Sequence, residues 1–85
     1  MLIKTTLGAE EKVLEDVMKI EGVEEAFTVY GKYDIIARVK AETMDKLKEI
    51  VVCRIRGLDN VREILTAIID KEGVKSIPQK PTLKQ

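Results

Sequence analysis

The chain has 85 residues, with 15 basic and 15 acidic side chains, no histidine and one cysteine, and its length is that of a single domain. The balanced charge gives no strong positive field for direct binding of nucleic acid, and the lack of histidine excludes Ser-His, Cys-His and His-metal sites. No apolar run approaches the roughly 20 residues that a membrane-spanning helix needs, so no membrane association is expected.

The first two predicted elements are a strand and a helix. Leu2–Thr6 has the pattern of a short strand, which Gly8 interrupts. A helix is expected to open at Ala9, because two acidic residues follow in the first turn, where the helix dipole favours them. Its apolar residues recur at helical spacing, and they are Val13, Leu14, Val17 and Met18. Gly22 is suited to end this helix.

A β-hairpin and a second helix are predicted next. Val23–Tyr30 and Tyr33–Lys40 are rich in β-branched and aromatic residues, which indicates two strands joined by a tight turn at Gly31-Lys32. The second helix is expected to begin after Thr43, a favourable N-cap residue. Its apolar positions are Met44, Leu47, Ile50, Val51 and Ile55, and Gly57 ends it.

The last long strand is predicted over Val61–Asp70, and a tail with two prolines follows. The order β-α-β-β-α-β predicts an α+β, ferredoxin-like sandwich, in which two helices pack on one face of a four-stranded antiparallel sheet. We therefore expect one domain over residues 1–71. Residues 72–85 form a C-terminal tail that adds at most one short edge strand around Val74–Ile77.

The sheet face away from the helices is expected to need a partner. Such a face is usually polar, but the strand pattern assigns it a mainly apolar set: Ile36, Ile64, Thr66 and Ile68. A contiguous exposed apolar patch marks an interface, and a two-fold dimer is the simplest way to cover it. Two alternatives remain, in which these residues are scattered over the surface of a monomer or are covered by the chain's own tail.

The hairpin turn combines a glycine, a base and an acid in Gly31, Lys32 and Asp34, beside Tyr33. A base and an acid together suit the carboxylate and ammonium groups of a zwitterion, and glycine lets a ligand approach the backbone closely. The alternative is an ordinary turn, in which Asp34 is solvated. No nucleophile–base pair or metal cluster accompanies these residues, so neither a catalytic site nor a cofactor is predicted.

The run from Val29 to Asp34, Val-Tyr-Gly-Lys-Tyr-Asp, resembles the V-x-G-x-Y-D hallmark of the C-terminal domain of the Lrp/AsnC family. This domain is also called the regulation of amino acid metabolism, or RAM, domain. The layout agrees over residues 1–71, including the Glu21-Gly22-Val23 transition and the final strand. Two positions depart from the family pattern: Ile64 replaces the first threonine of a frequent Thr-x-Thr, and Asn60 replaces a glycine.

The resemblance implies a dimeric α/β barrel in which two sheets face each other, often assembled into rings of dimers. It also implies an amino-acid effector near the contact between dimers. Gly31 and Tyr33 would offer backbone groups to the effector, and Asp34 would meet its ammonium group or order the loop. Thr66 would donate a hydroxyl hydrogen bond. Lys32 is added to this set because of its charge.

Family members usually carry an N-terminal helix-turn-helix that binds DNA, and all predicted helices here belong to the α/β unit. The expectation is therefore a stand-alone, non-enzymatic sensor that acts through a full-length Lrp/AsnC homologue. The single Cys53, expected to be buried, fits a reducing, cytoplasmic compartment. The alternatives are a dimeric α/β-barrel enzyme of monooxygenase or isomerase type and a purely structural interaction module.

Overall fold

The computed structural model describes residues 1–71 and residue 73, and its elements follow the predicted order. The strands are β1 (Leu2–Thr5), β2 (Val23–Thr28), β3 (Ile35–Val39) and β4 (Val61–Leu65). The helices are α1 (Glu10–Met18) and α2 (Met44–Lys48), and α2 continues as a π-helix over Glu49–Ile55. The possible edge strand at 74–77 lies outside the described residues.

All strand pairs are antiparallel, and the strands lie in the order β2-β3-β1-β4. The helices cover one face of this sheet, and the core forms between them. Its fully or nearly fully buried side chains are Ile3, Val13, Val17, Ile20, Ile35, Ala37 and Ile55. The predicted α+β, ferredoxin-like fold is therefore confirmed, and we call the uncovered side of the sheet the open face.

The second helix begins as predicted and changes its hydrogen bonding halfway. The Thr43 hydroxyl oxygen accepts a hydrogen bond from the Lys46 amide at 3.1 Å, which caps the helix. In the π-helix hydrogen bonds join residues five apart, so Ile55 lies above Ile50 and both contact the core. Cys53 lies in the same segment on the side turned to solvent and is exposed, so the prediction that it is buried was wrong.

The hairpin strands are shorter than predicted, and their turn is longer. Residues 29–34 connect β2 to β3, and we call this segment the hairpin tip. The Val29 amide closes it by donating a hydrogen bond to the Asp34 carbonyl at 2.9 Å. The tip therefore contains six residues rather than the two of a tight turn.

β4 ends at Leu65 and does not reach Asp70 as predicted. Among the described strands its one neighbour in the sheet is β1, which begins at Leu2, and Leu2 is already opposite Leu65. Residues beyond Leu65 therefore have no strand to pair with in the described part of the chain. Thr66 and Ile68 lie in this unpaired stretch and are exposed.

The predicted placement of Ile64 on the open face was wrong. Ile64 is opposite Ile3, which is fully buried, and it packs against the core below the helices. Thr5 is opposite Val61 and Lys4 is opposite Glu63, so Arg62 is an extra, bulged residue. The bulge turns both Val61 and Ile64 toward the helices and leaves Leu65 on the open face.

Candidate functional site

An apolar row crosses the open face on all four strands. The strand register places Phe27 opposite Ile36, Ile36 opposite Leu2, and Leu2 opposite Leu65. Phe27, Ile36 and Leu65 are 53%, 40% and 50% exposed, respectively. A continuous row of half-exposed apolar side chains is unusual on a monomer's surface and is typical of an interaction surface.

Charged residues border the apolar row on both sides. Glu25 is opposite Arg38 on one side of the row, and Lys4 is opposite Glu63 on the other. The Arg38 Nε also donates to a carboxylate oxygen of Glu24 at 3.2 Å. The open face thus has an apolar centre with a rim that contains both signs of charge, as protein interfaces do.

A groove of about 820 Å³ lies over part of the open face, between β2–β3 and residues 66–70. Ile36, Thr66 and Ile68 all line it, so three of the four predicted interface residues lie around one groove. Met1 also lines the groove, and its α-amino group donates to the Ala37 carbonyl at 3.0 Å. Partial burial lowers the pKa of this amino group below its usual value.

The hairpin tip presents backbone groups to solvent. Gly31 has a φ of +148°, in the region that favours glycine, and there is open space where a side chain would begin. Lys32 is exposed, and its ammonium nitrogen lies 6.0 Å from the centre of the Tyr33 ring, at the outer limit of a cation–π contact. The Lys32 carbonyl oxygen accepts a hydrogen bond from the Lys4 ammonium at 3.0 Å.

Asp34 points into the fold rather than toward solvent. Its Oδ2 accepts hydrogen bonds from the Thr5 amide at 2.8 Å and from the Thr5 hydroxyl at 3.2 Å. Its own amide donates to the Ile3 carbonyl at 2.9 Å. Asp34 therefore ties the hairpin tip to β1 and orders the loop, and it is not the solvated residue of an ordinary turn.

The structure does not bring Thr66 to the hairpin tip within one chain. Thr5 contacts Asp34 at one end of β1, whereas Leu2 pairs with Leu65 at the other end, and Thr66 lies just beyond. The three residue-to-residue steps from Thr5 to Leu2 alone span roughly 10 Å. A single amino acid bound at the tip of one chain does not reach Thr66 of the same chain.

Two residues of this region escaped the sequence reasoning. Thr5 is only 5% exposed, and a buried polar residue needs a hydrogen-bond partner. That rule signals that some partner exists, but nothing in the sequence near Thr5 identifies it as Asp34. Nothing in the sequence indicates that Lys4 contacts the hairpin tip, because a lysine in a short strand is typical of an ordinary solvated position.

Metal binding and membrane insertion find no support in the described residues. No group of three or more cysteine or acidic side chains among them is arranged to hold a metal ion. None of the described helices combines the length and apolar character that crossing a membrane requires.

Several solved structures have a similar fold. FFRP-DM1 has a TM-score of 0.70 and 32% identity, with 73% of this chain and 83% of that chain covered. The hypothetical protein PHS023 from Pyrococcus horikoshii has a TM-score of 0.69 and 32% identity, with 73% and 75% covered. TTHA0845 from Thermus thermophilus, at 23% identity and a TM-score of 0.69, covers 80% and 91% and shows the fold alone.

Sequence comparison identifies the family. One similar relative is an uncharacterized HTH-type transcriptional regulator of Pyrococcus furiosus, 30% identical over 59 residues. The match covers 69% of this chain and 39% of the regulator, so the chain spans less than half of that relative's length. A sequence model of the Lrp/AsnC ligand binding domain matches residues 1–78, which include the whole hairpin tip. The chain belongs to the Lrp/AsnC ligand binding domain family, as the hairpin motif predicted.

Proposed function

We propose that this domain binds an amino acid and self-associates, and that both events adjust the activity of a transcriptional regulator. Its family is one of regulatory ligand-binding domains, and the Pyrococcus furiosus relative is an HTH-type transcriptional regulator. A non-catalytic role in the cytoplasm is part of this proposal. A full-length Lrp/AsnC homologue would supply the DNA-binding part of the assembly.

The observation that carries the proposal is the apolar row on the open face. Burying a large apolar side chain contributes roughly 1.5–3 kcal/mol, and the row offers Phe27, Ile36, Leu2 and Leu65. A two-fold axis lying along the row brings the row of one copy onto the row of the other. The charged rims of the two copies then meet at the periphery of the interface, where the charged side chains remain accessible to water. A dimer with facing sheets satisfies all of these conditions.

The effector is proposed to bind at the hairpin tip. Gly31 leaves its backbone open to a ligand, Lys32 supplies a positive charge for a carboxylate, and the Lys32 carbonyl oxygen is an acceptor for an ammonium group. Tyr33 lies beside them and is half-buried. Asp34 is engaged with Thr5, so in this proposal it holds the loop in shape and does not itself contact the effector.

Thr66 enters the site only from another subunit. It lies at the opposite end of β1 from the hairpin tip, and a ligand that contacts both must lie between two chains. This arrangement supports a ring of dimers in which the tip of one chain approaches the stretch after β4 of a neighbour. Effector binding and assembly would then be linked, because the assembly forms the complete binding site and the bound effector stabilises the contact between subunits.

Sedimentation velocity and thermal unfolding, each with and without single common amino acids, test the proposal. We expect a dimer or larger ring without ligand and a raised melting temperature with at least one amino acid. Ligand at 100 times its Kd stabilises by about 2.7 kcal/mol, which unfolding readily detects. A monomer that no amino acid stabilises would contradict both halves of the proposal. A dimer indifferent to all of them would leave only the interaction module.

A further inference from the structure

Lys4 connects the hairpin tip with the open face. Its backbone lies in β1, opposite Glu63 of β4, on the row that borders the apolar row. Its side chain extends to the hairpin tip, where the ammonium nitrogen is 3.0 Å from the Lys32 carbonyl oxygen. These two residues are 28 positions apart in the sequence, so the contact depends on the folded sheet.

The Lys4 ammonium has the same chemistry as the α-ammonium group of an amino acid. Both are primary ammonium groups, and both donate hydrogen bonds to carbonyl or carboxylate oxygens. We propose that, without effector, Lys4 occupies the position that the effector's ammonium group takes when bound, so that binding displaces Lys4 from the Lys32 carbonyl. This inference rests on the proposed function, because it assumes that the effector binds at the tip.

A displaced Lys4 has a second partner within reach. Residues directly opposite on neighbouring antiparallel strands have Cβ atoms roughly 4.5–5.5 Å apart, and Glu63 holds that position. Glu63 is exposed, and within the described residues its carboxylate takes part in no recorded ion pair or hydrogen bond. Lys4 therefore exchanges between the Lys32 carbonyl and the Glu63 carboxylate, and the ligand selects the second state.

This exchange of Lys4 between two partners predicts which ligands bind tightly at the hairpin tip. A ligand that displaces Lys4 must replace the hydrogen bond that the Lys4 ammonium gives up, so displacement requires a primary ammonium group. The matching 2-hydroxy acid has the same carboxylate and side chain but no ammonium group. It therefore leaves Lys4 on the Lys32 carbonyl and binds the wild-type domain more weakly than the amino acid does.

Calorimetric titration of three variants tests this inference, with the common amino acid that most raises the melting temperature and its 2-hydroxy acid as probes. Lys4→Met removes the competing ammonium and keeps a long apolar side chain. Glu63→Gln removes the second partner. Lys12→Met is the matched control, because Lys12 is an exposed lysine on α1 that pairs with Asp16 at 3.2 Å, outside the tip.

We expect Lys4→Met to bind the amino acid about fivefold more tightly, because losing an exposed charged competitor corresponds to about 1 kcal/mol. Glu63→Gln should bind it more weakly than wild type, and Lys12→Met should match wild type. The 2-hydroxy acid should gain far less from Lys4→Met than the amino acid does. These opposite shifts at Lys4 and Glu63 would not arise if either residue acted only on the fold.

Two results separate this inference from the function on which it rests. If wild-type protein binds none of the common amino acids, the proposed function fails and the inference fails with it. If wild-type protein binds one of them and Lys4→Met leaves that affinity unchanged or weakens it, the inference alone is overturned.

Discussion

The carboxylate of Asp34 accepts two hydrogen bonds from Thr5, a residue 29 positions earlier in the chain. Thr5 is almost fully buried, and its amide and hydroxyl face the last residue of the hairpin tip, just before β3 begins to pair with β1. The carboxylate therefore satisfies two polar groups at the place where the strand ladder stops supplying carbonyl acceptors. An aspartate in a loop motif of a ligand-binding family here performs a structural task.

Asp34→Ala should lower the free energy of unfolding by about 1–3 kcal/mol, because it leaves the buried Thr5 amide without an acceptor. Asp34→Asn keeps one acceptor oxygen and should cost less. Urea unfolding measures both variants, with Asp59→Ala as an exposed acidic control. If Asp34→Ala were as stable as Asp59→Ala, the contact with Thr5 would contribute nothing to folding.

Ile64 and Leu65 are neighbours that should respond differently to truncation. Ile64→Ala removes contacts with the core and should cost roughly 2 kcal/mol or more in unfolding free energy. Leu65→Ala lies on the open face and should cost the isolated chain much less while weakening self-association. Urea unfolding and sedimentation equilibrium, applied to both variants, separate the two effects. Equal losses of stability would contradict the assigned faces.

Ile36→Glu should abolish self-association, because it places a charge at the centre of the apolar row. Val52→Glu is the matched control, since Val52 is similarly exposed, at 57%, but lies on the π-helix. Sedimentation velocity should report monomer for Ile36→Glu and the wild-type state for Val52→Glu. The reverse outcome would move the interface to the helical side.

Gly57→Ala should destabilise the end of the π-helix. A Cβ atom at this position would lie 2.8 Å from the Cys53 carbonyl oxygen, a backbone atom that cannot move aside alone. Overpacking of this kind costs roughly 1–3 kcal/mol. Gly73→Ala is the control, because no atom lies within 4 Å of its Cβ position. In thermal unfolding, we expect a lower melting temperature for Gly57→Ala and the wild-type value for Gly73→Ala.

The fold was predictable because its signals are local. Helical spacing, the Thr43 cap and two β-rich runs around Gly31 predict the element order without any knowledge of tertiary contacts. The family followed from six consecutive residues at the hairpin tip. These features depend on neighbours in the chain, which a sequence displays directly.

The face of Ile64, the end of β4 and the role of Asp34 were not predictable in this way. Residues 64–69 are nearly all apolar, so alternation could not decide which of them face the helices. The end of β4 depends on where its neighbour β1 begins, and Asp34 depends on Thr5. Each of these facts is a relationship between distant segments, and only the folded sheet reveals it.

The bulge at Arg62 makes the length of β4 adjustable at one position. Val61 and Ile64 are three positions apart, a spacing that puts residues of a regular strand on opposite faces, and the bulge brings both to the core. Without Arg62 they would be two positions apart, and regular alternation would place both in the core as well. In a comparison of homologues, we therefore expect the residue at the bulge to vary freely and to be missing from some sequences, while the residues matched to Val61 and Ile64 stay apolar.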